Sequence, residues 1–263
     1  MSFPIDSGAN KLGGASVGIR HVASRRSSRG FWHRSVIALL VGLLCGSSTA
    51  LSQSHPRLVV YLSTDAKPRV VQTALSEKMG SVEVVVYGRY RDFARELEKR
   101  PDAVIALQPV FGVHGLNPEL RATRNGQDTE PYVLLSIRAT IDRQRFSTLT
   151  VGAVDIVGRE RTGAFVARML GLASAPELKY VNKTEDLLPL LQLQGAEAVL
   201  LSQRDAALMQ SRSKLDLRVT PLEGRAGLAA AAFLTEPGRR IVRPEIQTLN
   251  AETNHKLGVD SWR

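Results

Sequence analysis

The chain has 263 residues, 35 Lys and Arg against 25 Asp and Glu, a net charge of +10, and 43% hydrophobic residues. Its single cysteine, Cys45, excludes an internal disulfide, so the fold must be held by its core alone. The basic excess is concentrated at the N-terminus, and the remainder contains no Lys/Arg block interleaved with aromatics, which excludes nucleic acid as a partner.

Residues 1–34 hold Lys11, Arg20, Arg25, Arg26, Arg29 and Arg34 against Asp6 alone. An uncharged run of nine, 36–44 (VIALLVGLL), follows, and then small residues as far as Ser52. This is the layout of a secretory signal with cleavage after Ser52. A membrane span needs about 20 apolar residues, more than twice this run. Ser24-Arg25-Arg26 lacks the apolar residue that follows the pair in a twin-arginine signal. Cys45 follows Leu44 where a lipoprotein anchor has a small residue, so it reads as part of the apolar run. A start downstream of Met1 also fits the leader's length. Removing 1–52 leaves 211 residues at net +5, enough for one large domain or two small lobes, expected in the periplasm.

The mature chain opens with a strand at 57–63 (RLVVYLS), and Ser63-Thr64-Asp65 supplies N-cap residues for a helix over 68–79. A strand at 82–87, a helix at 90–100 with Phe93, Ala94 and Leu97 inward, and a strand at 102–110 complete a β-α-β-α-β order, which predicts right-handed crossovers and a parallel sheet. Residues 111–130, rich in Gly, Pro and Asn, read as a loop, and 131–140 as a strand.

Residues 149–172 (LTVGAVDIVGRERTGAFVARMLGL) begin as a buried strand rich in Val and Ile and continue as a helix with Phe165, Val166, Met169 and Leu170 on one face, stopped by Gly171. The turn between them, 158–163, suits an anion, because a helix opening there aims free N–H groups at one spot. A tight strand-to-helix turn with no ligand fits the same residues. The stretch is no P-loop, since Ala164 and Phe165 follow Gly163 where Lys and Ser or Thr are required.

After 172 the pattern returns: a strand at 178–181, a helix capped by Thr184 and ended by Gly195, and a strand at 196–201. Its helix-then-strand plan repeats that of 91–105 about 94 to 95 residues on, which suggests two α/β lobes facing a cleft, or one continuous doubly wound sheet. A helix at 205–213 and a strand at 215–222 follow. The small-residue run 225–234 (RAGLAAAAFL) suits a tightly packed strand or a crossing segment. Pro244 opens a last helix with Ile246, Leu249 and Leu257 on one face, and Trp262 is expected to anchor the tail.

Catalytic chemistry finds no signature. The mature chain has His55, His114 and His255, no Cys and no Gly-x-Ser-x-Gly elbow, and no two His at helical zinc spacing. Asp155 reads as a structural or cleft residue. The expectation is a non-enzyme without cofactor or metal.

The segments VVVYGRYRDFARELEKRPDAVIALQP, TVGAVDIVGRERTGAFVARMLG, VNKTEDLLPLLQLQGAEAVLL and LGVDSW together resemble the phosphate/phosphonate-type periplasmic substrate-binding proteins of ABC transporters, over most of 57–263. The resemblance implies an α/β, two-lobed periplasmic-binding-protein-like fold, each lobe a mainly parallel sheet flanked by helices, with 57–137 plus 228–263 as one lobe and 138–227 as the other. It implies a monomer that captures a small anionic ligand for ABC transporter membrane subunits. By position the contacts are Ser63, Thr64, Asp65, Tyr90, Gln108, Arg161, Thr162 and Gly163. The sequence departs from the family where Arg159, Glu160 and Arg161 replace a Ser/Thr run and where Gln108 replaces a small residue. An envelope interaction or sensor-accessory protein that keeps the fold without transport is the alternative.

Overall fold

The computed structural model describes residues 55–62 and 66–263. The leader, its apolar run, Cys45 and the cleavage position at Ser52 lie outside the described residues, as do Ser63, Thr64 and Asp65.

The first alternation forms as its apolar runs require: β1 (Arg57–Tyr61), α1 (Pro68–Lys78), β2 (Glu83–Tyr87), α2 (Tyr90–Leu97) and β3 (Ala103–Leu107). Helix α1 is capped by Lys67, with no side-chain cap bond, and Pro68 opens it. The third strand ends before the expected Val110, because Gln108–His114 folds as α3. Pro109 suits the first helical turn, and Gly115 closes the helix at φ 63°. Within the expected loop, Leu120–Thr123 forms β4. Then come β5 (Thr129–Ile137), a 3-10 turn at Arg143–Thr148, β6 (Thr150–Val154), α4 (Arg159–Leu170), β7 (Glu177–Val181), α5 (Leu187–Gln192), β8 (Ala198–Ser202) and α6 (Gln203–Arg212). The chain finishes with β9 (Leu217–Gly227), β10 (Ala229–Phe233), a wide turn at Gly238–Val242, α7 (Arg243–Gln247), α8 (Ala251–Lys256) and β11 (Ser261–Trp262).

Two sheets result. The first runs β11-β4-β10-β3-β1-β2 and the second β7-β6-β8-β5-β9. Each keeps a parallel trio, β2-β1-β3 and β7-β6-β8, and each is extended by antiparallel strands. Strand β10 pairs antiparallel with β3 and β4, and β5 with β8 and β9. Strand β5 therefore belongs to the second sheet, and the chain changes sheets between Thr123 and Thr129, not at residue 137. It returns at Leu228, whose N–H bonds Asp128 O (2.8 Å) and whose carbonyl accepts from Gln108 N (2.9 Å).

The first sheet is buried on both faces, so its residues divide by parity. Val59, Tyr61, Val104, Ala106, Ala230 and Ala232 point into one cluster. Leu58, Val60, Ile105, Ala229, Ala231 and Phe233 point into another, beneath Val242, Ile246 and Leu257. Small Ala side chains let β10 sit in the middle of this doubly covered sheet. The first cluster also contains Leu134, Val151, Ala153, Phe165 and Leu200 of the second half, so one apolar mass runs through both. At the tail, β11 pairs with β4, and Trp262 Nε1 donates to Asn254 Oδ1 (3.1 Å), anchoring the C-terminus as expected.

Strand β9 touches α4 at Gly224, where an added Cβ would lie 2.6 Å from Met169 O and 2.7 Å from its Cα. Backbone cannot give way as a side-chain tip can, so Gly224→Ala is expected to cost about 2 kcal/mol by overpacking. Urea unfolding should show a lower midpoint at unchanged slope.

Candidate functional site

The turn from β6 into α4 is built around Thr162, which has no exposed surface. Its hydroxyl donates to Asp155 Oδ1 (3.0 Å) and accepts from Val157 N (3.2 Å), while its N–H donates to Gly158 O (2.8 Å). Gly158 caps the helix at φ 85°, a conformation that favours glycine. Gly163 faces β7, where an added Cβ would meet the Tyr180 hydroxyl at 3.4 Å, and that hydroxyl donates to Arg159 O (2.8 Å). Both protons of Thr162 are thus committed within the turn, and Gly163 serves the seating of the helix on the sheet. The Thr162 hydroxyl and N–H that an anion could use are therefore both bonded inside the turn.

Tyr90 lies in an aromatic group with Tyr61, Phe93 and His114. Ring centroids of Tyr61 are 5.3 Å from Phe93 and 5.9 Å from Tyr90, and Tyr90 Oη is 2.9 Å from His114 Nε2. Two bonds join this group's side of the molecule to the β6–α4 turn. Tyr61 Oη donates to Asp155 O (3.4 Å), and Arg161 Nη1 donates to Val113 O of α3 (2.9 Å). Burial, reinforced by the Arg161 charge, pushes the pKa of His114 below its usual value.

Two cavities flank Phe165. The inner one, 40 Å³, is lined by Leu107, Tyr132, Ile156, Thr162 and Ser202, with Glu130 and Asp205 in its wall. It holds only a few waters. Burial raises the pKa of Glu130 even though Arg124 Nη1 donates to its carboxylate at 2.8 Å. The outer cavity, 650 Å³, lies between α3, α4 and the end of β9, and Gln108 and Arg161 both line it. Gln108 fills the space beside Gly227 so closely that an added Cβ there would collide with its Oε1.

The sequence reading missed two further residues of this outer cavity, Arg168 and Arg225. Arg168 stacks over Phe165 at 5.5 Å. Arg225 bonds Gln127 Oε1 (2.6 Å), Thr129 Oγ1 (3.1 Å) and Thr129 O (3.0 Å). Arg168 was findable from its place two turns beyond Arg161 on one helical face. Arg225 carried no local signal. Of the expected set, then, Gln108 and Arg161 share a cavity, Thr162 lines the smaller one, Tyr90 and Gly163 line neither, and Ser63, Thr64 and Asp65 lie outside the described residues. Among the described residues no three His, Cys, Asp or Glu gather as metal ligands.

Two mixed sheets between which the chain crosses twice give the two-lobed α/β fold of periplasmic solute-binding proteins, and solved structures agree. The chain is similar to the binding protein of a phosphonate ABC transporter from Pseudomonas aeruginosa, at TM-score 0.58 and 11% identity over 80% of this chain and 81% of that one. It is similar to the BvgS periplasmic VFT2 domain of Bordetella pertussis (TM-score 0.53, 15% identity, 78% and 93%). It is also similar to an amino acid ABC transporter substrate-binding protein from Streptococcus pneumoniae, bound to L-arginine (TM-score 0.54, 17% identity, 78% and 93%). No family model and no curated protein matches the sequence. At such identities the likeness carries the fold and leaves the ligand to the site itself.

Thr162→Val should remove about 2 kcal/mol of stability, because the Val157 N–H and the Asp155 carboxylate would each lose a buried partner, while Thr162→Ser should retain most of it. Denaturant unfolding of the pair separates hydroxyl from volume. His114 supplies a pH test. Its folded pKa lies below the unfolded value of about 6.5, so the unfolded chain binds the proton first and stability should fall as pH drops below about 6.5. Melting temperatures at pH 7.5, 6.5 and 5.5 should show that decline, and His114→Gln should make it shallower.

Proposed function

We propose that this protein is exported and captures a small anionic solute between its two lobes, presenting it to the membrane subunits of an ABC transporter. The carrying observation is the charge of the outer cleft. Gln108 and Arg161, from opposite walls, line it with Arg168 and Arg225, and no lining residue is acidic. The partners of these guanidiniums are backbone carbonyls, a ring and neutral side chains, and none of the three pairs with a carboxylate among the described residues. Guanidiniums gathered without counter-ions favour a bound anion, and 650 Å³ falls within the range of small-molecule sites. In this reading the lobes follow the sheets, with links near 124–128 and at Leu228 in place of a boundary at 137.

A second reading has one observation in its favour. The apolar cluster runs through both halves, and the inner cavity beside it, at 40 Å³, is too small for a solute, which suits an envelope interaction or sensor-accessory protein.

Calorimetry with phosphate, methylphosphonate and small carboxylates decides between them. A binder should give a Kd in the micromolar range, about −8 kcal/mol. Arg161→Gln should weaken it about tenfold and Thr64→Ala should weaken it less, since Thr64 offers one neutral donor. Absence of heat with every anion would favour the second reading.

A further inference from the structure

The α4 face that lines the outer cleft reads Arg161, Ala164, Phe165, Arg168. These positions are spaced by three and four, with exposed Arg161 and Arg168 at the two ends and, between them, exposed Ala164 and the 6% of Phe165 that the core leaves uncovered. Seven residues span about 10 Å of helix. Each end is held in place: Arg161 by Val113 O at 2.9 Å, and Arg168 over the Phe165 ring at 5.5 Å. The facing wall adds Pro109, Gly112 and Val113, which are apolar, and the third guanidinium, Arg225, is pinned by Gln127 and Thr129. None of these bonds neutralises a charge. A single inorganic anion would answer one guanidinium and leave the apolar middle wet.

We infer that the cleft takes an organic dianion, a molecule with a carboxylate or phosphate group at each end of an apolar body. This rests on the reading of the cleft as an anion site and specifies its ligand. The body lies over Ala164 and Phe165, one anionic group meets Arg161, and the other meets Arg168 with Arg225.

The test is titration of the purified protein with succinate, adipate, suberate and terephthalate, beside hexanoate, benzoate and inorganic phosphate. The best dicarboxylate should bind at least tenfold tighter than the monocarboxylate of matching body, the gain expected of one further charge-assisted pair. Arg168→Gln should remove that advantage, weakening the dicarboxylate about tenfold and bringing it level with the monocarboxylate. Arg168→Lys should restore part of it. Arg168 is exposed, so both variants should fold, and a melting curve checks this. Equal affinity for terephthalate and benzoate in the parent protein overturns the dianion while the anion site stands. Failure of every carboxylate and of phosphate to bind overturns the site itself.

Discussion

The geometry of the cleft depends on a single buried hydroxyl. Thr162 Oγ1 closes the β6–α4 turn by giving its proton to Asp155 and accepting one from Val157 N. Removed from water, such bonds are costly to break, because each orphaned partner then carries its full desolvation penalty. Everything around the turn takes its position from this knot. Asp155 O receives Tyr61 from the first sheet, Arg159 O receives Tyr180 from β7, and one helical turn of α4 brings Arg161 to Val113. A Thr at a helix start is ordinarily read as a group facing out. Here it faces in, and what it fixes is the start of α4, and with it the positions of Arg161 and Arg168.

The interior and the cleft oppose each other electrically. Phe165, in edge contact with Tyr132 at 5.4 Å, closes the inner space with apolar surface, and that burial favours the two halves staying together. On its other side three guanidiniums share one cleft and repel one another. Glu130 shows the converse arrangement, a carboxylate whose burial outweighs an arginine at 2.8 Å.

Much of the fold was legible because strands such as 57–61, 103–107 and 150–154 are continuous apolar runs, and because Gly171 and Gly258 end helices where positive φ is needed. Helix α3 was not legible: Val110 and Phe111 continue the β-like composition of β3, and only the contact of Leu107 and Gln108 with the sheet junction ends the strand there. The four-residue β4 exists because it pairs with β10 and β11, and the two-residue β11 because it pairs with β4, long-range facts with no local pattern. The site divides in the same way. Gln108, after β3, and Arg161, in the first turn of α4, were named from the resemblance alone, whereas Arg225 comes to the same cavity from the last strand of the second sheet, and nothing near it in the chain announces the meeting.

The position of β10 has a consequence for how the molecule is assembled. The second sheet draws all its strands from one unbroken length, Thr129 to Gly227. The first sheet does not, because β10 lies between β3 and β4. Until residues 229–233 arrive, β3 has an open edge and β4 has no neighbour on that side, and open edges invite pairing with other chains. A ribosome or a membrane channel that releases this chain from its N-terminus delivers β9 before β10, so the sheet whose strands emerge first is the one completed last.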